Sequence, residues 1–189
     1  FISCIKNASK IGEELSSYFK KQGIDLQKVK GSIGFDPFKR ILKHGRDFPK
    51  YADMAEQVIN SVSELPGYRV LMADAFMLNN AGSYITQELG FALAWGNEWL
   101  SVLTDKGLSV DKVANRIKFN FGISSNYFME MAKFRAARML WAQIVSAYKP
   151  NCDCASKIEM HAQTSRFNMT IYDAHVNLLR SQTETMSAA

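Results

Sequence analysis

Short strand-like runs alternate with amphipathic helical stretches along almost the whole chain, and this alternation constrains the fold more than any other feature. Residues 9–21 carry Ile11, Leu15, Tyr18 and Phe19 on one helical face, with Gly23 beyond the end as a stop. Residues 29–34 read as a short strand running into a glycine-bearing loop, and 38–43 as one or two helical turns. Across 51–65, Met54, Ala55, Val58, Ile59 and Val62 recur with the helical period until Pro66-Gly67 ends the run. A strand at 68–73 and a loop at 74–82 lead into a long helix from 83 to 103 or beyond, broken at Lys106-Gly107. Residues 113–121 contain the next strand, 122–126 a loop, and 127–147 a helix closed by Pro150. A fourth strand at 157–161 precedes a last helix running from about 170 to the end.

Strands separated by helices predict βαβ units and a parallel sheet, because parallel neighbours need a crossover connection. The chain supplies about four such units in 189 residues. A closed barrel needs eight units and about 250 residues. The expected fold is therefore α/β, about half of a TIM (β/α)8 barrel, with residues 1–189 as one partial-barrel domain. No G-x-G-x-x-G or G-x-x-x-x-G-K-[ST] opens a helix, which argues against the phosphate-cradling nucleotide folds. The start, Phe1-Ile2-Ser3-Cys4-Ile5-Lys6, lacks an initiator Met and a secretory pattern, and the chain reads as a piece of a longer protein. Open edges, and an inner face expected to carry Val70, Met72 and Phe119, point to self-association of the isolated piece.

The formal charge of +5 draws on many basic residues near the start, among them Lys6, Lys10, Lys20, Lys21, Lys28, Lys30, Lys39, Arg40, Lys43 and Arg46. They are spread through several elements, and no aromatic platform alternates with them, so solvated helix faces are expected rather than a nucleic-acid partner. No run approaches the roughly 18 apolar residues of a membrane span, and a cytoplasmic, membrane-free protein is expected. Cys4, Cys152 and Cys154 form no disulfide framework, and reduced thiols are the expectation. A metal site built from Cys152, Cys154 and a His would lack the paired C-x₂-C spacing of zinc sites.

Three blocks carry a specific resemblance. The longest runs Phe119-Asn120-Phe121-Gly122-Ile123-Ser124-Ser125-Asn126-Tyr127-Phe128-Met129-Glu130-Met131-Ala132-Lys133-Phe134-Arg135-Ala136-Ala137-Arg138-Met139-Leu140-Trp141. It resembles the aromatic-Gly-Ile loop and N-[FY]-[FY]-M-E-x-A-K-x-R-A-x-R-x-L-W helix of the methylmalonyl-CoA mutase family. His161-Ala162-Gln163-Thr164-Ser165 is similar to that family's H-x-Q-T-S at a barrel strand end, and Ala81-Gly82 with Glu88 forms the third block. Read on its own, the helix places Met131, Phe134, Arg138, Trp141 and Val145 on a packed face, pairs Glu130 with Lys133, and puts Arg135 and Arg138 in structural ion pairs.

The departures from the family pattern bear on mechanism, because barrel chemistry sits in the loops after the strands' C-terminal ends. The family's G-Y-H-M-Q-E-A-G loop, whose His polarises the thioester carbonyl, is here Ala75-Phe76-Met77-Leu78-Asn79-Asn80-Ala81-Gly82. Met77 stands at the His position, and a thioether donates no hydrogen bond. The pattern G-T-I-Q-N-D is here Gly31-Ser32-Ile33-Gly34-Phe35-Asp36, with Gly34 at a substrate-contacting Gln. His44 stands where the family clamps a carboxylate with Arg, and imidazole lacks the guanidinium fork. The resemblance also implies that Ser32, Arg116, His161 and Gln163 face substrate or cofactor, Arg116 toward coenzyme A, although Lys118 replaces a Ser two positions on. An ion pair at the strand start is the plainer reading of Arg116, and a satisfied polar layer that of His161 and Gln163.

Asp173-Ala174-His175 partly matches the family's cobalt-binding D-x-H-x-x-G, but the sixth position is Leu178, and Asp173 fits better near a helix start. No metal ligand and no catalytic residue are expected in this chain. The resemblance implies a non-catalytic small subunit of a heterodimeric adenosylcobalamin-dependent mutase, stabilising a catalytic large subunit. The cofactor would belong to the assembled enzyme and not to this piece. An active acyl-CoA mutase of altered substrate choice is the alternative.

Overall fold

A computed structural model describes residues 2–3, 6–45 and 50–189. In chain order its elements are β1 (Ile2–Ser3), α1 (Ala8–Lys21), β2 (Gly31–Phe35), α2 (Pro37–His44), α3 (Tyr51–Ser61), β3 (Tyr68–Asp74) and α4 (Phe76–Asn80). There follow α5 (Ile85–Asp105), α6 (Val110–Ala114), β4 (Ile117–Ile123), α7 (Tyr127–Ala147), a 3₁₀ turn (Asp153–Ser156), β5 (Met160–Thr164) and α8 (Val176–Ala188). The strands form one sheet in the order β1-β2-β3-β4-β5, every neighbouring pair parallel. Each step along the sheet is a helical crossover, so the expected partial barrel is the observed fold. Cys4 and Arg46 lie outside the described residues.

Alternation along the strands sorts side chains to two faces. Ile33, Phe35, Leu71, Ala73, Ile117, Phe119, Phe121 and Ile123 are buried in the hydrophobic core. There Phe35 meets Trp99, Phe119 meets Trp141 edge-on at 4.9 Å, and Phe121 meets Phe134. The opposite, inner face is polar. Register sets Ser32 beside Arg69, Met72 beside Lys118, Asp74 beside Asn120, and Asn120 beside His161. This corrects the expectation of an apolar inner face. Val70 and Phe119 are fully buried in the core, and only Met72 lines an inner-face cavity. At Val70 the alternation slips, because the amides of Val70 and Leu71 both bond the Arg116 carbonyl at 2.9 Å. Of the two grounds for pairing of half-barrels, open edges and an apolar inner face, only the open strand edges remain.

Several boundaries also move. Ser109 Oγ accepts the Lys112 amide and starts α6, so Val113 is helical and the strand begins at Ile117. The turn at Asp153–Ser156 delays the last strand to Met160, where it pairs with Phe119. Residues 74–82 contain the helix α4. The last helix begins only at Val176, whose amide bonds the Asp173 carboxylate, as the reading of Asp173 anticipated. On α7 the buried face is Glu130, Lys133, Phe134, Ala137, Trp141 and Val145, whereas Met131 and Arg138 are exposed. Arg138 bonds the Phe134 carbonyl, and among the described residues neither it nor Arg135 forms an ion pair, because both point away from the carboxylates that α7 buries. Cys152 and Cys154 are joined in a disulfide, against the expectation of reduced thiols, because the turn brings their Cα atoms to 5.2 Å.

Close packing between α5 and β4 depends on a missing side chain. A Cβ at Gly96 would lie 2.6 Å from Phe119 and 2.7 Å from Trp141, both fully buried rings. Gly90, on the same helix, has nothing within 4 Å of that position. Gly96→Ala is therefore expected to destabilise by about 1–3 kcal/mol through overpacking. Gly90→Ala is expected to stabilise by about 0.5–1 kcal/mol through helix propensity. Urea denaturation of both variants checks the contrast, and equal midpoints would contradict it.

Candidate functional site

β2 and β3 both deliver an aspartate to the C-terminal mouth of the sheet. Asp36 follows β2 and caps α2, its Oδ1 accepting the Lys39 amide at 3.1 Å. Its Oδ2 accepts the amide of Asp74, the last residue of β3, at 3.2 Å. Asp74 in turn accepts Asn120 Nδ2 at 2.6 Å and pairs with the Lys39 ammonium. Asn120 Nδ2 also reaches Gln163 Oε1 at 3.3 Å. The network thus spans β2, β3, β4 and β5. Burial pushes the Asp36 carboxyl up to about 7, Asp74 adding to the rise, against the opposing pull of the Lys39 and Asp74 amides and the Lys39 charge.

Residues implied by the resemblance land in three places. Ser32 lies on the inner face and accepts Lys118 Nζ at 3.2 Å, so the lysine that replaces a serine reaches across β3 to β2. Arg69, Lys118, Ser32, Lys30 and Glu159 line a cavity of about 400 Å³ toward the strands' N-terminal ends. His161 and Gln163 line a second space, of about 630 Å³, shared with Phe76 and with Asn177 and Ser181 of α8. Burial and the Lys118 charge hold the His161 imidazole below its ordinary range, against the pull of Asp74. It is thus a neutral donor–acceptor near pH 7.

Arg116 does something else. Its guanidinium is buried and donates to the carbonyls of Leu65 at 2.6 Å, Tyr68 at 2.8 Å and Val62 at 3.2 Å. It therefore closes the chain after α3, satisfying carbonyls that the helix end leaves open. Neither an ion pair nor a ligand contact is needed to explain it. This arrangement sits at the N-terminal end of β4, away from the aspartate network.

Gly34 and His44 line one cavity of about 290 Å³ with Asp36, Lys39, Arg40, Lys43, Met72 and Asp74. The two departures from the family pattern are thus neighbours in space. Met77 sits on α4, immediately after β3, half-buried. Its helix is placed by contact with β4: a Cβ at Gly122 would meet Asn79 Cγ at 2.2 Å. Gly122 itself is held from both sides. Its amide donates to Glu88 Oε1 at 2.6 Å, and its carbonyl accepts Lys133 Nζ at 2.6 Å. Lys133 also pairs with Glu88 at 2.8 Å and Glu130 at 2.5 Å, all three side chains fully buried.

Asp36, Lys39, Asp74 and Asn120 were missed as site residues. The signal for them was present, since Asp36 and Asp74 each end a run of strand-forming residues where barrel chemistry resides. Among the described residues no group of His, Cys, Asp or Glu could hold a metal ion. His175 is exposed at the start of α8, and Asp173 accepts the Val176 amide, so these residues do not fit the role of a cobalt ligand. Among the described residues no helix is long and apolar enough to cross a membrane.

Comparison with known proteins bears on the same residues. The family model described as methylmalonyl-CoA mutase matches residues 6–189. The methylmalonyl-CoA mutase small subunit of Porphyromonas gingivalis is 54% identical over the full chain, which covers 31% of that protein. Both subunits of Streptomyces virginiae methylmalonyl-CoA mutase are also similar. Its small subunit is 34% identical over 96% of the chain and 29% of its own length. Its large subunit is 31% identical over 89% of the chain and 24% of its own length. The chain thus spans about a third or less of the length of these relatives.

The buried aspartate yields a pH prediction. The carboxyl of Asp36 rises from an ordinary 3.8 to about 7 on folding, so the folded chain binds its proton more tightly than the unfolded chain does. The group's contribution to stability is therefore full below the unfolded value and lost as pH climbs through about 7. A ¹³C NMR titration of the Asp36 carboxyl is expected to give a midpoint near neutrality. A midpoint close to 3.8 would mean that Lys39 and the two amides outweigh burial.

Proposed function

The chain belongs to the methylmalonyl-CoA mutase family, and on that premise we propose that it is a barrel segment of a non-catalytic small subunit that stabilises a catalytic large subunit. One observation carries the reading. Gly34 and His44 meet in one cavity, where the family would place a Gln and an Arg on substrate, and neither can make those contacts. Met77, after the next strand, adds a thioether where a hydrogen-bond donor would be needed. Lys118, at a position where the family pattern has a Ser, is drawn across the inner face to Ser32. Meanwhile Arg116 and the Glu88–Lys133–Glu130 cluster, which hold the scaffold, are intact. A chain that keeps its scaffold while losing its substrate contacts fits a supporting subunit.

Adenosylcobalamin belongs, in this reading, to the assembled heterodimer, where it supplies the radical chemistry of methylmalonyl-CoA and succinyl-CoA interconversion. Among the described residues Asp173 and His175 do not fit a cobalt ligand. What this chain contributes is a partial barrel with a mouth where Asp74 is paired with Lys39 and hydrogen-bonded by Asn120, and Asp36 accepts the Asp74 amide. The S. virginiae relatives named small and large subunit support a paired assembly.

A second reading has an observation of its own. Arg40 and Lys43 line the same cavity as His44, and they supply positive charge beside the lost carboxylate clamp. An active mutase of altered substrate choice would use that charge, with His161 and Gln163 facing the ligand. Equilibrium dialysis of the full-length protein against adenosylcobalamin separates the two, since the supporting-subunit reading expects no appreciable binding without a partner.

Turnover of methylmalonyl-CoA is expected only when the full-length protein is combined with a large subunit; turnover by the full-length protein alone would overturn the supporting role. Met77→His in the full-length protein is expected to remain inactive, because Gly34 and His44 still leave substrate unoriented. Isomerisation by that single variant would show that one position, rather than several, was lost.

A further inference from the structure

Cys152 and Cys154 lie on the connection from α7 to β5, at the opposite end of the strands from the aspartate mouth. Both residues are exposed. Their bond closes a sequence separation of only 2, and a ring that small removes little freedom from the unfolded chain. A structural staple is therefore a weak explanation, whereas the pair is well placed for chemistry. The Cys154 amide donates to Cys152 Sγ at 3.2 Å, and Asn115 Nδ2 approaches Cys154 Sγ at 3.8 Å. Each sulfur thus faces a donor that favours the thiolate, the shorter contact being at Cys152. The loop that carries them is tied down. Asp111 accepts the Asn151 amide at 3.1 Å and the Cys152 amide at 3.0 Å. Ala155, one residue on, is fully buried. The sulfurs are held within bonding reach of one another while remaining open to solvent.

We propose that Cys152 and Cys154 form a surface dithiol–disulfide pair that exchanges with low-molecular-weight disulfides. In the reduced pair, the Cys152 thiolate attacks one sulfur of a disulfide R–S–S–R. The S–S bond of the small disulfide breaks, one R–S group leaves as a thiolate that takes a proton from water, and the other R–S group stays as a mixed disulfide on Cys152. Cys154 then loses its proton and attacks Cys152 Sγ, and the second R–S group departs as a thiol. The protein dithiol is oxidised by two electrons, and one small disulfide is reduced to two thiols. Asp111 and the intervening Asp153 add negative charge near the pair, which moderates the thiolate fraction without removing either sulfur's donor.

The test uses the full chain with Cys4→Ser, so that only this pair reacts. The protein is reduced, freed of reductant, and exposed to oxidised glutathione at neutral pH, and mass spectrometry of alkylated samples follows both cysteines. The expected result is loss of both free thiols, with the pair closed and no lasting glutathione on either. Cys154→Ser is expected to retain one glutathione on Cys152, because the resolving thiol is gone. Circular dichroism confirms that each variant is folded. Two stable glutathione adducts on the unpaired form, or two thiols that stay free under these conditions, would overturn the proposal.

Discussion

A buried ammonium between two buried carboxylates governs how the upper half of this structure is assembled. Lys133 of α7 meets Glu88 of α5 and Glu130 of its own helix, with all three side chains out of water. Charges in that position are costly unless paired and hydrogen-bonded. Most of the remaining valences are used: Glu88 also takes the Gly122 amide, Glu130 Oε1 takes the Ser124 amide and hydroxyl, and Lys133 gives a bond to the Gly122 carbonyl, while among the described residues Glu130 Oε2 has the Lys133 ion pair alone. Burial still drives the Glu88 carboxyl above its ordinary range, against Lys133 and the Gly122 amide, so the cluster is held together by geometry as well as by charge. Because it grips Gly122 and Ser124, it fixes the turn after β4. Asn79 presses on Gly122 and carries α4, so the position of Met77 follows from the same cluster.

The two faces of the sheet do different work. The helix side is a dense aromatic core built on Trp99, Trp141, Phe119 and Phe121. The inner side carries Ser32, Arg69, Lys118, Asp74, Asn120 and His161, where barrels of this type more often stack branched apolar residues. A polar inner face of this kind is not a second hydrophobic core. Lys118 bonded to Ser32, and Asn120 bridging Asp74 and Gln163, show these groups satisfying one another. Such mutual pairing holds the polar groups of the inner face in place. It also explains how Arg116 remains in place, since its three carbonyl partners belong to the fold and not to a substrate.

Much of this was legible from the amino-acid order. Helical spacing marked α1, α3 and α7, and repeated crossovers required a parallel sheet, because those signals are local and short in range. The family block from Phe119 to Trp141 and the altered positions Gly34, His44 and Met77 were also readable, since each is a residue type at a recognisable place. Pairing across distance was not readable. Arg116 looks like a strand-start arginine until it is seen to close α3, more than fifty positions earlier. Glu88 and Lys133 are 45 positions apart, and nothing in either neighbourhood announces the other. Val70 was expected on the inner face, but a bulge at the Arg116 carbonyl turns it into the core. Local preference determines which elements form and in what order; only tertiary packing decides which polar groups are buried together, because that choice depends on desolvation and on partners that sequence spacing does not encode.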